Sequence, residues 1–254
     1  MDEGHAPLVH VQVDVAERVG TLVLDSPANR NALSRRLVHE LHDGLTALAD
    51  DDDVRVVVLR AEGRTFCSGA DLAEAAKDGM EQAAGVLVAL QRWIVACDKP
   101  VVARVHGHVR AGGIGVVAAC DVALSAEDAT YAFTEVRLGL APAAISLTVL
   151  PRLTDRAAAL TLLTGETFDG REAERIGLVT RSVPEARLDE EVAAVCSSLA
   201  QGTPQGLRET KRLVNRHLLA RVDTEGPELA ALSARLFGSE QAKAAMRAFL
   251  ERRR

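Results

Sequence analysis

A chain of 254 residues with 48% hydrophobic and 26% charged residues can bury one sizeable core, which excludes disordered, collagen-like and stapled mini-protein classes. Its 30 basic and 36 acidic residues leave a net charge of −6, and seven aromatic residues (five Phe, one Trp, one Tyr) offer little for base stacking, so nucleic acid is not an expected partner. No apolar run reaches the roughly 18 residues of a bilayer span, so no membrane is expected either. The opening Met1-Asp2-Glu3-Gly4-His5 carries no leader pattern, and Cys67, Cys97, Cys120 and Cys196 form no CxxC pair. The expectation is a cytoplasmic protein with reduced thiols and no thiolate metal site.

In chain order, Val9, Val11, Val13 and Val15 alternate with other residues, and a second apolar run at 19–24 follows after Ala16-Glu17-Arg18. This spacing predicts a hairpin. A loop at 25–29 leads to Ser34, which opens a helix carrying Leu37, Leu41, Leu45 and Leu48, closed by the acidic run 50–53. Residues 54–59 read as a buried strand, 62–70 as a glycine-rich turn region, and 72–77 and 80–97 as helical. A second buried strand at 101–105 precedes the glycine-rich stretch 107–115, a helix at 116–120 and a strand at 122–125. This strand–helix alternation predicts an α/β core. Beyond Leu147 the pattern is helical at 154–163, 171–176, 188–200, 204–219 and 239–251, with one late strand at 179–183.

Several constellations carry possible chemistry. Gly113-Ile114-Gly115-Val116-Val117-Ala118 matches a dinucleotide fingerprint, but its strand ends about seven residues too early and the acid expected ~20 residues on is Glu127, too close. A nicotinamide site is not expected. Gly112-Gly113 opens a helix, where free N–H groups and the helix dipole can hold an oxyanion or serve only a tight turn. Cys67-Ser68-Gly69-Ala70-Asp71-Leu72 forms a second strand-to-helix corner. Two such corners after adjacent parallel strands would bring two N–H donors to one end of a sheet, the geometry of an enolate-stabilising hole. Glu135, between Phe133-Thr134 and Val136, is a carboxylate in partly apolar sequence, suited to acid–base work if buried and a plain surface glutamate if not. His39-Glu40-Leu41-His42 is not HExxH and reads as a solvated helix face. Cys67 reads as a small buried residue, and His106 and His108 flank a glycine near the possible site.

Together these segments resemble the enoyl-CoA hydratase/isomerase (crotonase) family over nearly the whole chain. The likeness is carried by Ser26-Pro27-Ala28-Asn29-Arg30-Asn31-Ala32-Leu33, by Thr65-Phe66-Cys67-Ser68-Gly69-Ala70-Asp71-Leu72, and by Lys99-Pro100-Val101-Val102-Ala103 leading into Ala111-Gly112-Gly113. Ala118-Ala119-Cys120-Asp121, the stretch around Glu135, and Leu138-Gly139-Leu140-Ala141-Pro142 continue it in register, as do Gly165, Ala173 and Gly177-Leu178-Val179. The order and spacing of these motifs are specific where each motif alone is not.

The resemblance implies an α/β fold of the ClpP/crotonase type, a spiral of ββα turns with a helical C-terminal part. Residues 1–200 would form the acyl-CoA-binding core and 201–254 a helical oligomerisation segment of a homotrimer or dimer of trimers. It implies an acyl-CoA substrate whose thioester carbonyl sits between the N–H groups of Ala70 and Gly112. Ala28, Asn29, Arg30, Ser68, Gly69, Asp71, Leu72, Gly113 and Gly115 would line the substrate, and Lys211 would meet a CoA phosphate. Arg137 and His108 are candidates to pair with a second carboxylate on the substrate. No metal and no resident cofactor is implied, since CoA is part of the substrate. Glu135 matches one of the family's two catalytic glutamates, and the other falls at Gly115. Three readings follow: hydration of a 2-enoyl-CoA with Glu135 as sole acid/base, as in methylglutaconyl-CoA hydratases that look similar here; Δ3–Δ2 isomerisation by one shuttling base; or acyl-CoA binding without catalysis.

Overall fold

Glu17 and Arg18 both take positive φ, 49° and 66°, the backbone of a two-residue hairpin turn. They fold strand β1 (Val11–Ala16) back on β2 (Val19–Leu24), as the valine spacing predicts. The computed structural model describes residues 10–71, 74 and 80–251. The hairpin forms one edge of a six-stranded sheet, which continues through β3 (Val56–Ala61), β5 (Val101–Val105), β7 (Val122–Ala126) and β10 (Arg181–Val183) in the order β1-β2-β3-β5-β7-β10. From β2 onward neighbours are parallel. Strands β3 and β5 are apolar almost without interruption because both faces are buried. The edge strand differs: Val13 and Val15 stay 40% and 43% exposed. Strand β3 also begins two residues later than expected, because Val54 turns its N–H onto Asp51 O.

A second sheet was not legible in the sequence. Its strands are β4 (Thr65–Cys67), β6 (His108–Arg110), β8 (Thr130–Ala132) and β9 (Phe168–Asp169), in that order, with β9 antiparallel and the rest parallel. Strands of two or three residues show no hydrophobic period. The two sheets alternate along the chain: β3 then β4, β5 then β6, β7 then β8. Helix α3 (Gly112–Ala119) follows the second pair, and α4 (Ala143–Val149) follows the third after a 3-10 turn (Thr134–Leu138). This is the expected spiral of ββα turns. Gly107 permits the step between β5 and β6, since a Cβ there would stand 2.3 Å from Arg64 O.

Ser34 caps α1 (Arg35–Asp50) by accepting Leu37 N–H at 3.2 Å, and the four predicted leucines are buried beneath it. Glu40 on the same helix corrects the expected solvated face: it is buried, and its carboxylate accepts from the His10 and Val11 amides and from Arg36. The remaining described helices are α2 (Met80–Ala96), α5 (Asp155–Thr164), α6 (Gly170–Arg175), α7 (Glu185–Ala200), α8 (Pro204–Phe237) and α9 (Glu240–Glu251). Helix α8 runs 18 residues past its expected end at Leu219, straight through Pro227. It packs along α2 and α4, and Gly226 brings its backbone so close that a Cβ would lie 2.9 Å from Val88. Tertiary packing of this kind outweighs the missing proline N–H. No described helix is long and apolar enough to cross a membrane.

Candidate active site

Three corners leave the C-terminal ends of three neighbouring parallel strands in the small sheet. Ala70 follows β4, Gly112 follows β6, and Glu135 follows β8. Sequence reasoning expected two such corners after adjacent strands but assigned them to the large sheet.

The first two corners are in contact. Gly69 has φ +88°, and a Cβ on it would lie 2.9 Å from Ala111 Cβ, 3.1 Å from Arg110 O and 3.3 Å from Gly112 N. Only glycine fits both the backbone angle and the space. Leu33 N donates to Gly69 O at 2.8 Å, and Leu33 bridges Ala70 in parallel fashion. Ala111 takes φ 46° and ψ −120°, unusual for a residue with a side chain. Such backbone costs of order 1–3 kcal/mol and persists where its surroundings over-determine it. Here those surroundings are Gly69, the β6–β8 pairing and the Ile114 N–H bond to Ala111 O at 2.9 Å. The distortion turns the chain into α3, a fully buried helix that begins at Gly112. Its first N–H groups have no partner within the helix, and its dipole favours negative charge at that end.

At the third corner Glu135 lies in the 3-10 turn after the buried Tyr131, Ala132 and Phe133. The residue as a whole is half-buried, but its Oε2 is shut off from water and has no hydrogen-bond partner. Burial pushes its carboxyl up to about 7, against a smaller downward pull from its own backbone N–H. Its carbonyl accepts from Gly139 and Leu140. Gly139 (φ +70°) passes so near α9 that a Cβ would be 3.3 Å from Ala242 Cα, so the last helix braces the end of this turn.

The loop at 26–33 is stitched to the first corner. Asn31 donates to Glu62 O and Thr65 O and accepts from Ser26 N. Ser68 N donates to Arg30 O at 3.1 Å, Ser68 Oγ to Asn29 O at 3.4 Å, and Asn29 Nδ2 to Asp71 Oδ2 at 3.4 Å. Ala28, Asn29, Arg30, Ser68, Gly69 and Asp71 therefore come together beside Ala70, with Ala28 and Arg30 exposed. Leu72 and, except for Glu74, the helix expected at 72–77 lie outside the described residues.

Other expected site residues are placed differently. Gly113 and Gly115 are buried packing positions: a Cβ on Gly113 would meet Cys67 Cβ at 2.7 Å, and one on Gly115 would meet Ile145 at 2.8 Å. Lys211 corrects its expected phosphate contact. It is 6% exposed, pairs with Asp121 Oδ2 at 2.7 Å and donates to Ile94 O and Lys99 O, so its ammonium is used within the fold. Cys67 is buried as expected, and burial pushes its thiol up to about 12. His106 Nε2 lies 2.6 Å from Gly63 O and His108 Nδ1 2.7 Å from Thr130 Oγ1. Arg137 donates to Thr164 O at 3.2 Å. Sequence reasoning missed Gln91, a fully buried amide that donates to Leu87 O and Ala144 O and accepts from Thr148 Oγ1. Its signal was a polar residue, followed directly by Arg92, interrupting the apolar run of α2. Among the described residues no group of His, Cys, Asp and Glu is placed to hold a metal ion.

The two alternating, mostly parallel sheets with their ββα turns and helical C-terminal part define an α/β protein of the crotonase fold. The profile of the enoyl-CoA hydratase/isomerase family matches residues 14–254, and the chain belongs to that family of enzymes. A crystal structure of an enoyl-CoA hydratase from Mycobacterium avium superposes with a TM-score of 0.91 at 46% identity, covering 96% of each chain. A Thermus thermophilus protein provisionally named an enoyl-CoA hydratase is 36% identical over 253 residues, 96% of this chain and 98% of the relative. The hydroxycinnamoyl-CoA hydratase-lyase of Pseudomonas fluorescens is 30% identical over 210 residues, 79% of this chain and 76% of the relative.

Proposed function

We propose that this protein adds water to a 2-enoyl-CoA thioester. The thioester oxygen is received by the N–H groups of Ala70 and Gly112, which stabilise the enolate formed when oxygen attacks Cβ. Glu135 takes the proton lost by the attacking water and returns it to Cα, so the carboxylate is regenerated each cycle and the thioester bond stays intact. The observation that carries this reading is the buried, unpartnered Oε2 of Glu135, which follows the strand paired with β6 in the sheet that also carries the two glycine corners. A group poised near neutrality can both accept and return a proton.

Residues Ala28, Asn29, Arg30, Ser68, Gly69, Asp71 and Leu72 are assigned to the CoA and acyl moieties, with the exposed Arg30 assigned to a phosphate. Attraction for that phosphate is local, because the chain as a whole carries −6. The exposed Arg137 is the candidate partner for a second carboxylate on the acyl group. CoA enters and leaves as part of the substrate, and no resident cofactor is assigned. The assembly is proposed as a homotrimer or a pair of trimers in the cytoplasm, with helices from 201–254 contributing to the contacts.

One observation favours a second reading. Gly115 supplies no second carboxylate, and Δ3–Δ2 isomerisation needs only one base to move a proton from C2 to C4. Incubation with crotonyl-CoA and 3-methylglutaconyl-CoA, following loss of the conjugated-enoyl absorbance, tests the choice. Loss abolished by Glu135→Gln supports the hydratase, and the faster substrate gives the acyl class. No loss with either, but turnover of a 3-enoyl-CoA, replaces the hydratase with the isomerase. Micromolar thioester binding without any turnover leaves a binding protein.

A further inference from the structure

Position 115, where the second carboxylate of the family falls, is closed by the chain's own side chains. A Cβ built on Gly115 would lie 2.8 Å from Ile145 Cγ2, 3.0 Å from Ile145 Cβ and 3.1 Å from Gln91 Oε1. Contacts this short require something to move, and the neighbours are fixed. Ile145 is 2% exposed on α4, with its Cβ as well as a methyl group in the way. Gln91 is fully buried, and its amide donates to Leu87 O at 3.2 Å and to Ala144 O at 3.1 Å. Thr148 Oγ1 lies 2.7 Å from Gln91 Oε1 and 3.0 Å from Gly115 O, tying α4, α2 and α3 together at this point.

We infer that Ile145, held in place by the Gln91–Thr148 bond, is a specificity-determining residue that fills the room of a carboxylate at position 115 and so fixes the site to one-carboxylate chemistry. The Gly115 side of the site is packed hydrocarbon and a fully engaged amide. Both donor directions of Gln91 are spent on backbone carbonyls, so it does not hand a water to the substrate in place of the lost acid. Glycine at 115 is therefore the steric partner of isoleucine at 145, and proton movement is left to Glu135. The inference rests on the proposed reading of the site for its consequence in catalysis, but its steric part stands by itself.

A double-mutant cycle on the full chain tests it. Thermal unfolding is measured for Gly115→Ala, Ile145→Gly and the double variant. Gly115→Ala is expected to lower Tm by several degrees in the wild-type background and to be neutral or stabilising beside Ile145→Gly, where the methyl and the Cβ are gone and alanine is the better helix former. Equal Tm losses in both backgrounds would overturn the inference. Should Ile145→Gly fail to fold, Ile145→Ala removes the shorter contact and replaces it in the cycle.

The catalytic consequence is read with Gly115→Glu. Alone it is expected to lower both Tm and crotonyl-CoA hydration. Combined with Ile145→Gly it is expected to hydrate crotonyl-CoA at least about 10²-fold faster than Ile145→Gly alone, within the range a positioned acid or base contributes. Gly115→Glu that keeps the wild-type Tm and hydrates faster would show position 115 to be open and refute the proposal. If wild type hydrates nothing, the functional reading fails while the Tm cycle still decides the role of Ile145.

Discussion

The amide nitrogen of Gly112 lies 3.3 Å from the point where a Cβ on Gly69 would stand. The two corners proposed to receive the thioester oxygen are thus one packed unit, and a single methyl group added to the first pushes directly on the second. Gly69→Ala places that methyl on a backbone with φ +88° and 2.9 Å from Ala111 Cβ. The expected outcome is a fall in kcat of about 10²-fold, comparable to losing one oxyanion donor, with a smaller change in KM and a lower Tm. Steady-state kinetics on a CoA thioester together with thermal unfolding check it. Unchanged kcat would separate Gly69 from the donor geometry.

Among the described residues at these corners, Glu135 is the one whose ionisable side chain has a buried oxygen, Oε2, without a hydrogen-bond partner. Glu135→Gln keeps the shape and removes the transferable proton. Turnover is expected to fall by at least about 10²–10⁴-fold, the usual worth of a positioned acid or base, while CoA-thioester binding stays within a few-fold. The measurement is single-turnover absorbance change beside equilibrium binding of the same thioester.

The same carboxyl sets two pH trends of known sign. Burial raises it from 4.5 to about 7 in the folded chain, so between these values the folded state binds its proton more tightly than the unfolded state does. The stability cost of ionising it is absent below about pH 4.5, grows as pH rises through the window, and is complete above about 7. Glu135→Gln is therefore expected to gain Tm relative to wild type on going from about pH 5 to about pH 8, read by thermal unfolding at both pH values. The base form also fills in over this range. Wild-type kcat/KM is expected to rise about tenfold per pH unit below 7 and to level off above it. A flat profile across this window would assign the proton transfer to another group.

What could be read from the sequence follows the length of the signal. Strand β5 was legible at 101–105 to the residue because both its faces are buried and Pro100 punctuates its start. The cap Ser34 and the four leucines of α1 were legible because 16 residues carry several turns of period. The small sheet was not, since β4, β6 and β8 are three residues each and are defined by their neighbours. The glycine corners were visible as glycines, but which sheet they leave, and that Gly69 touches Gly112, depends on those hidden strands. Helix α8 is legible only as far as Leu219, whereas it runs on to Phe237 through Gly226-Pro227, where Gly226 lets its backbone pack against Val88 of α2. Lys211 shows the opposite limit: a basic residue on a helix looks solvent-facing until the fold supplies its acceptors.

Those acceptors make Lys211 a test of structure against ligand binding. Its side chain is 5% exposed and that of Asp121 15%, at a separation of 2.7 Å. Asp121 also accepts from Val101 N at 2.7 Å and Asn215 Nδ2 at 2.6 Å, so the pair joins the start of β5, the end of α3 and the middle of α8. Lys211→Met removes the cation but keeps most of the packing, and leaves a carboxylate short of one partner in a dry place. Breaking a buried pair in this way costs roughly 3–5 kcal/mol, measured as a shift in urea midpoint. The double variant Lys211→Met/Asp121→Asn is expected to lose less than Lys211→Met alone, because no uncompensated charge remains. Folded Lys211→Met is expected to bind a CoA thioester as wild type does. A tenfold weaker affinity with an unchanged urea midpoint would instead return Lys211 to the CoA phosphates, and would require α8 to open at its contact with Asp121 when ligand binds.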